Sequence, residues 1–290
     1  MITTGGTPAT SQRLCHWGML PAPPMTATEG IRGVLMRYEL LGLIRVIGPE
    51  DTSYITAHKA EILLATLLAR AGQVVTAEQL INELWGDRAP RRSHAALHVY
   101  VSQVRKFLRA AGGDGQSIVT RPLGYLLRLG SDELDSADFQ RLVDDGRERV
   151  RLGRHEQALR CFESALALWR GPAFDDARDG PIVNACATWL EETRLQCLEL
   201  LIGEYLTLGR HREIVGQLYA LISDHPLRET FYRYLMMALY RSERQAEALM
   251  VYRAACGRLN EELGLEPCRP LRDLHQAILA GDDHLSGRPS

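Results

Sequence analysis

Residues 93–110, SHAALHVYVSQVRKFLRA, decide how the first half of the chain is read. Leu97, Val101, Val104 and Leu108 fall at i, i+4, i+7 and i+11, an apolar stripe that would seat one helix on its neighbours. The remaining surface carries His94, His98, Ser102, Gln103, Arg105, Lys106 and Arg109, and from Arg91 to Arg109 there are five Lys/Arg and no acid. Gln and Arg side chains can make paired hydrogen bonds with base edges in the major groove, and Arg or Lys neutralises phosphate. A solvated basic face is the simplest account of such a helix in isolation. Its surroundings favour the other reading.

Upstream, Tyr38 to Ile47 reads as a strand, and a short strand is expected around Tyr54 and Ile55. His58 to Ala71 carries apolar residues at helical spacing and stops at Gly72. Thr76 with Gln79 forms a capping-box pattern that opens a short helix ending at Gly86. Downstream, Ile118 to Thr120 and Tyr125 to Leu129, separated by Pro122 and Gly124, form a plausible hairpin. A capped short helix, a turn, a basic helix and a Gly-containing hairpin follow one another as in a winged helix-turn-helix.

The composition first argues against a polyanion partner: 34 Lys+Arg stand against 36 Asp+Glu among 290 residues, a net of -2. The signs are segregated, however. Residues 37–130 hold 12 basic and 8 acidic residues, and residues 131–290 hold 20 and 27. A net of +4 is thus followed by one of -7. DNA binding is expected to reside in residues 37–130 alone, with none in residues 131–290. The length favours two domains, divided near Gly130: a winged domain at 36–130 and a second domain at 131–280. Residues 1–35, rich in Thr, Gly, Pro and Ala, are expected to form a flexible tail, as are residues 281–290, and Met36 is a candidate true start.

The second domain reads as helix almost throughout, with an internal repeat. Leu152-Gly153-Arg154-His155 is similar to Leu208-Gly209-Arg210-His211, and the latter lies 34 residues before Ser242-Glu243-Arg244-Gln245, the tetratricopeptide period. Stacked helix pairs leave a concave surface suited to holding another protein. The expected fold is mainly α: a winged helix-turn-helix followed by an all-α, tetratricopeptide-like domain.

Residues 37–129 resemble the winged helix-turn-helix of response-regulator effectors, through Leu84-Trp85-Gly86, Val99-Tyr100-Val101-Ser102, Val104-Arg105-Lys106-Phe107-Leu108 and the wing pair Gly124-Tyr125. The second half resembles the bacterial transcriptional activation domain, through Leu168-Trp169-Arg170-Gly171, Asp224-His225-Pro226-Leu227-Arg228-Glu229 and Glu261-Glu262-Leu263-Gly264-Leu265-Glu266-Pro267. The pair resembles a small Streptomyces antibiotic regulatory protein. The resemblance implies a pathway-specific activator of a secondary-metabolite gene cluster, which binds tandem direct repeats of double-stranded DNA side by side and holds RNA polymerase holoenzyme. It also implies a cytoplasmic, nucleoid-associated protein without a cofactor. Candidate DNA contacts are Arg91, Arg92 and Ser93 at the helix entry, then His94, His98, Ser102, Gln103, Arg105, Lys106 and Arg109. Thr120, Arg121, Gly124 and Tyr125 in the wing and Lys59 at a helix start are candidate backbone contacts. Ser102 and Gln103 stand where related effectors often carry Arg, so the operator is expected to differ.

Other classes are weaker. His94 and His98 are spaced i, i+4 without a third ligand at a suitable offset, so no metal site is expected. His155-Glu156-Gln157-Ala158-Leu159 is not H-E-x-x-H, and neither a nucleophile elbow nor a phosphate-binding loop occurs, so an enzyme is not expected. The six cysteines show no C-x-x-C pair, and no apolar run approaches the ~20 residues that span a bilayer. A repressor, and a helical-repeat adaptor without base-specific binding, remain as alternatives.

Overall fold

In the computed structural model, which describes residues 36–113 and 116–282, the segment expected as one strand from Tyr38 to Ile47 is two. β1 (Arg37–Glu39) and β2 (Arg45–Ile47) pair antiparallel with Tyr38 opposite Val46. The chain reverses through Gly42, whose φ of +145° is a conformation that side-chain-bearing residues rarely adopt. β3 (Thr52–Ser53) follows on β2, two residues ahead of the expected position. The expected tail at residues 1–35 lies outside the described residues, as does that at 281–290 from residue 283 onward.

α1 (His58–Ala69) is buried from Ile62 to Leu68, so its sequence is apolar on all sides. It is packed by α2 (Ala77–Trp85), α3 (Ser93–Ala110) and a helix of the second half. β4 (Val74–Thr76), unforeseen in the sequence, leads into α2, and the Thr76–Gln79 capping box is formed in both directions. β5 (Ile118–Arg121) and β6 (Gly124–Leu127) make the hairpin, with β6 lying between β5 and β4. A Cβ on Gly124 would lie 2.0 Å from the Val75 carbonyl oxygen, so only glycine permits this approach of β6 to β4. β7 (Glu133–Leu134) then returns to run parallel with β1.

Seven α-helices follow among the described residues: α4 (Asp135–Arg151), α5 (His155–Ala167), α6 (Pro181–Thr207), α7 (Val215–Asp224), α8 (Glu229–Arg241), α9 (Gln245–Leu263) and α10 (Arg269–Ala280). The three similar segments are the turns that open α5, α7 and α9. In each, the residue before the Arg has a left-handed φ: Gly153 +68°, Gly209 +74° and Glu243 +64°. The Arg N–H returns to a carbonyl five residues back in all three, Arg149, Tyr205 and Leu239. The first two copies are spaced more widely than the last two because α6 runs for 27 residues and is preceded by an extra segment around Phe174.

The hydrophobic core does not divide at Gly130. One cluster joins Leu41, Leu63 and Leu97 of the winged half with Phe139, Phe162, Trp169 and Val183, and a second gathers around Ile202, Leu218, Met236 and Leu271. α6 serves both, with Val183, Ala187, Leu190, Cys197 and Leu201 in the first and Leu198, Ile202 and Leu206 in the second. A fragment cut at residue 130 would expose Leu40, Leu41 and α1, so the expected autonomy of residues 37–130 conflicts with the shared core.

Two carboxylates stitch the halves together. Asp135 accepts from the backbone N–H of Leu40 and Leu41. Glu83 of α2, 2% exposed, accepts from the N–H of Ile182 and Val183 and so caps the N-terminus of α6. Gly180 makes room for it, since a Cβ there would lie 2.0 Å from Glu83 Oε2.

Glu83→Ala is expected to lower stability by about 2–3 kcal/mol, because buried donors lose their acceptor. Burial pushes the Glu83 carboxyl above its ordinary range, against the pull of the two N–H groups. A raised folded-state pKa contributes stability that is complete below the unfolded value and is lost as pH rises through the folded one. The stability of wild type relative to Glu83→Gln should therefore fall as pH rises above the ordinary carboxylate range, as measured by urea unfolding. Separately, Glu243→Gly should stabilise the protein by about 1 kcal/mol, read as a higher unfolding midpoint.

Candidate nucleic-acid interface

The apolar stripe of α3 is buried as its spacing requires: Leu97, Val101, Val104 and Leu108 are each at most 1% exposed. Trp85 of α2 and Tyr100 of α3 meet with ring centroids 5.9 Å apart, fixing the angle of the helix pair. The opposite side of α3 is open to solvent at His94, Ala95, His98, Val99, Ser102, Gln103, Lys106 and Arg109. Arg91 and Arg92 are exposed immediately before its first turn, Ser93 is half-buried there, and no side chain caps this N-terminus. Arg121 is exposed at the end of β5, beside Leu123 at the wing tip.

The basic groups on this face form a cluster without a neighbouring acid in sequence. Among the described residues, Arg91, Arg92, Lys106, Arg109 and Arg121 have no carboxylate partner. In the helical half Arg141, Arg210, Arg228 and Arg244 are all paired with Asp or Glu. Uncompensated charge clustered on one helix face and the adjacent wing makes an electrostatic footprint for phosphate.

Several expected DNA contacts instead hold the face together. Arg105 donates from Nη2 to the Ile118 carbonyl at 2.8 Å and to Thr120 Oγ1 at 2.9 Å, with its guanidinium 6.0 Å from the Tyr125 ring centroid. Both Arg105 and Thr120 are thereby committed to joining α3 to the wing. Tyr125 is 3% exposed, its hydroxyl is 2.7 Å from His98 Nδ1, and burial raises its pKa. Gly124 is buried against β4. Lys59 donates to the Leu84 carbonyl and lies 3.7 Å from Asp179, so it joins α1 to the end of α2 and to the second half. Arg105, Tyr125, Gly124 and Lys59 are thus engaged within the protein, whereas Thr120 remains exposed.

Two exposed apolar residues were passed over in the sequence. Val99, 56% exposed, sits near the middle of the outward face of α3, and Leu123 is 73% exposed. The signal for Val99 was available, since it lies about half a turn away from the buried stripe. Among the described residues no group of three or more acidic, His or Cys side chains is placed to hold a metal ion.

Comparison with known proteins now bears on this arrangement. The profile described as bacterial transcriptional activator domain matches residues 134–279, and that described as transcriptional regulatory protein, C terminal, matches residues 52–127. The transcriptional regulator RedD of Streptomyces coelicolor is 38% identical over 251 residues, covering 82% of this chain and 71% of RedD. The chain belongs to the Streptomyces antibiotic regulatory protein family. The regulatory protein DnrI of Streptomyces peucetius is 34% identical over 78% of this chain and 85% of its own length. The regulatory protein AfsR of Streptomyces griseus is 36% identical over 93% of this chain, which spans only 26% of AfsR. Among solved structures, Mycobacterium tuberculosis EmbR in complex with a low-affinity phosphopeptide superposes with a TM-score of 0.81 at 31% identity, covering 87% of this chain and 68% of that one. A family of transcriptional regulators therefore shares both halves of this chain, winged helix and helical repeat alike.

Substitutions on this face should separate three roles. Gln103→Ala should alter discrimination between operators by about 1–3 kcal/mol at one base pair. Lys106→Ala should weaken all duplexes alike and reduce the salt slope by about one unit. Arg105→Ala should loosen the wing, seen as faster amide exchange in β5, and weaken binding without changing base preference. Fluorescence anisotropy with duplexes varied one base pair at a time checks all three.

Proposed function

We propose that this protein is a pathway-specific transcriptional activator of a secondary-metabolite gene cluster, acting in the cytoplasm on the nucleoid. It binds tandem direct repeats of double-stranded DNA near a promoter, with two copies side by side, and contacts RNA polymerase holoenzyme through its helical half. The observation that carries the reading is the set of unpaired basic side chains, Arg91, Arg92, Lys106, Arg109 and Arg121, surrounding Val99, Ser102 and Gln103 on an outward helix face. Family membership supplies the regulatory setting. Further support comes from the charge contrast, in which the helical half, at net -7, would stay off the DNA and remain open to a basic protein surface. No helix among the described residues is long and apolar enough to cross a membrane.

On this reading α3 lies in the major groove, with Gln103 and Ser102 facing base edges and Val99 able to meet a thymine methyl. Arg91, Arg92 and the uncapped start of α3 take phosphates on one side, and Arg121 takes the backbone beside the wing on the other. Adjacent copies on direct repeats would share phosphate contacts and protein contacts, which makes occupancy cooperative.

The full chain should lose DNA affinity with salt at a slope of roughly -4 to -5 per copy if those five groups each neutralise one phosphate. A flat salt response would favour the adaptor. A genomic footprint combined with transcript measurement on deletion completes the test. Bound sites containing direct repeats, with neighbouring transcripts that fall on deletion, are expected; transcripts that rise would make the protein a repressor.

A further inference from the structure

A cleft of about 880 Å³ opens on the helical half between the end of α6, the length of α8 and the middle of α10. α8 packs against both of the other helices and forms the floor. Leu206, Met237 and Leu274 give the cleft an apolar base, and Tyr234 contributes an aromatic face. This volume suits a small organic molecule.

Its charge is opposite to that of its surroundings. Residues 131–290 carry a net of -7, yet the lining includes Arg233, Arg241 and His211, with Asp273 as its one acid. Asp273 is already engaged by Arg269 at 3.4 Å. Arg233 has no carboxylate partner among the described residues, and its guanidinium stands 5.4 Å from the Tyr234 ring centroid. The His211 imidazole is held below its ordinary pKa by burial and by the positive charges of Arg241 and Arg212, against a hydrogen bond to the Arg241 backbone.

Two further features point to an occupant. His211 stands at the same place in its repeat as His155 and Gln245. His155 Nδ1 is 2.7 Å from Glu204, and Gln245 Nε2 donates to the Ile278 carbonyl at 2.8 Å. The Nδ1 of His211 is buried with no hydrogen-bond partner. The second feature is Gly203, inside α6, where glycine weakens a helix. Helix packing does not require it, because a Cβ there would meet only Tyr234 Oη, at 4.0 Å. Its effect is to leave the cleft open.

We propose that this cleft is a binding site for a small amphipathic organic anion, a carboxylate or sulfonate on an apolar or aromatic body. The apolar body lies on Leu206, Met237 and Leu274 beside Tyr234. The anionic head lies toward Arg233, with Arg241, which donates to the Leu206 carbonyl at 2.9 Å, at the edge of the cleft. The site is separate from α3 and the wing, so its occupancy can be tested without DNA.

The probe is 1-anilinonaphthalene-8-sulfonate, titrated against the folded full chain by fluorescence, with its uncharged congener N-phenyl-1-naphthylamine as control. One saturable site is expected, with the anion bound at least tenfold more tightly than the neutral molecule, and with displacement by decanoate but not by decanol. Gly203→Leu should abolish the site while keeping the circular dichroism and raising or preserving the melting temperature. Arg233→Met should weaken the anion about tenfold and leave the neutral congener unchanged. Equal binding of the two congeners, or wild-type binding by Gly203→Leu, would overturn the proposal. So would displacement by an acidic peptide in preference to decanoate, which would make the cleft a peptide groove.

Discussion

Asp135 stands at the first position of α4 with its carboxylate turned back into the first sheet, 1% exposed, and accepts from the N–H groups of both Leu40 and Leu41. Those donors lie where the chain leaves β1 for the turn at Gly42, and without this carboxylate they would be left unbonded inside the protein. Burial raises the Asp135 pKa, whereas the two backbone N–H groups and Arg170, 3.6 Å away, favour the ionised form. Arg170 also lies 3.2 Å from Glu39, and its own N–H donates to the Leu41 carbonyl, while that of Phe174 donates to Leu40. The backbone of one loop of the winged half is therefore bonded by groups of the helical half. The shared core follows from that junction: β7 enters the first sheet, α4 begins directly after it, and α1 and α6 are brought face to face.

Elements with a strong local cause were legible from the sequence. The period of α3, the Thr76–Gln79 box and the left-handed turns at Gly153 and Gly209 each depend on residues close together in the chain. The two-strand split at Gly42, the strands Val74–Thr76 and Glu133–Leu134, and the undivided core depend on partners far along the chain. A three-residue strand has too short a pattern to announce itself. The same distinction holds at the interface. Arg91, Arg92, Lys106 and Arg109 stand exposed on the face that their spacing suggested. Arg105 turns to the wing because the Ile118 carbonyl and Thr120 are within its reach, and no sequence period reveals that partner.

Charge is divided between the halves by number, and many arginines of the helical half are also paired. In the helical half Arg228 is bound by both Glu192 and Glu199, and Arg210 and Arg244 are held by a Glu three residues on, while Arg154, Arg160, Arg212 and Arg253 stand exposed with no carboxylate partner among the described residues. Exposed pairs of this kind contribute little stability. They do keep those arginines from acting as a second polyanion surface. The winged half has no acid between Arg88 and Gly113, and its outer arginines remain available for a partner.

The cap that Glu83 provides for α6 bears on how such regulators can be recombined. Because the acceptor sits on the helix preceding α3 and the donors sit on the first turn of α6, a join at the sequence boundary near Gly130 separates a cap from its helix. A chimera carrying another relative's winged half would inherit α6 with Pro181 at its start but with no acceptor, unless the donor brings a carboxylate at the position of Glu83. The exchangeable unit in this architecture is thus defined by matched contacts across the junction, and the two halves are interchangeable parts only in pairs.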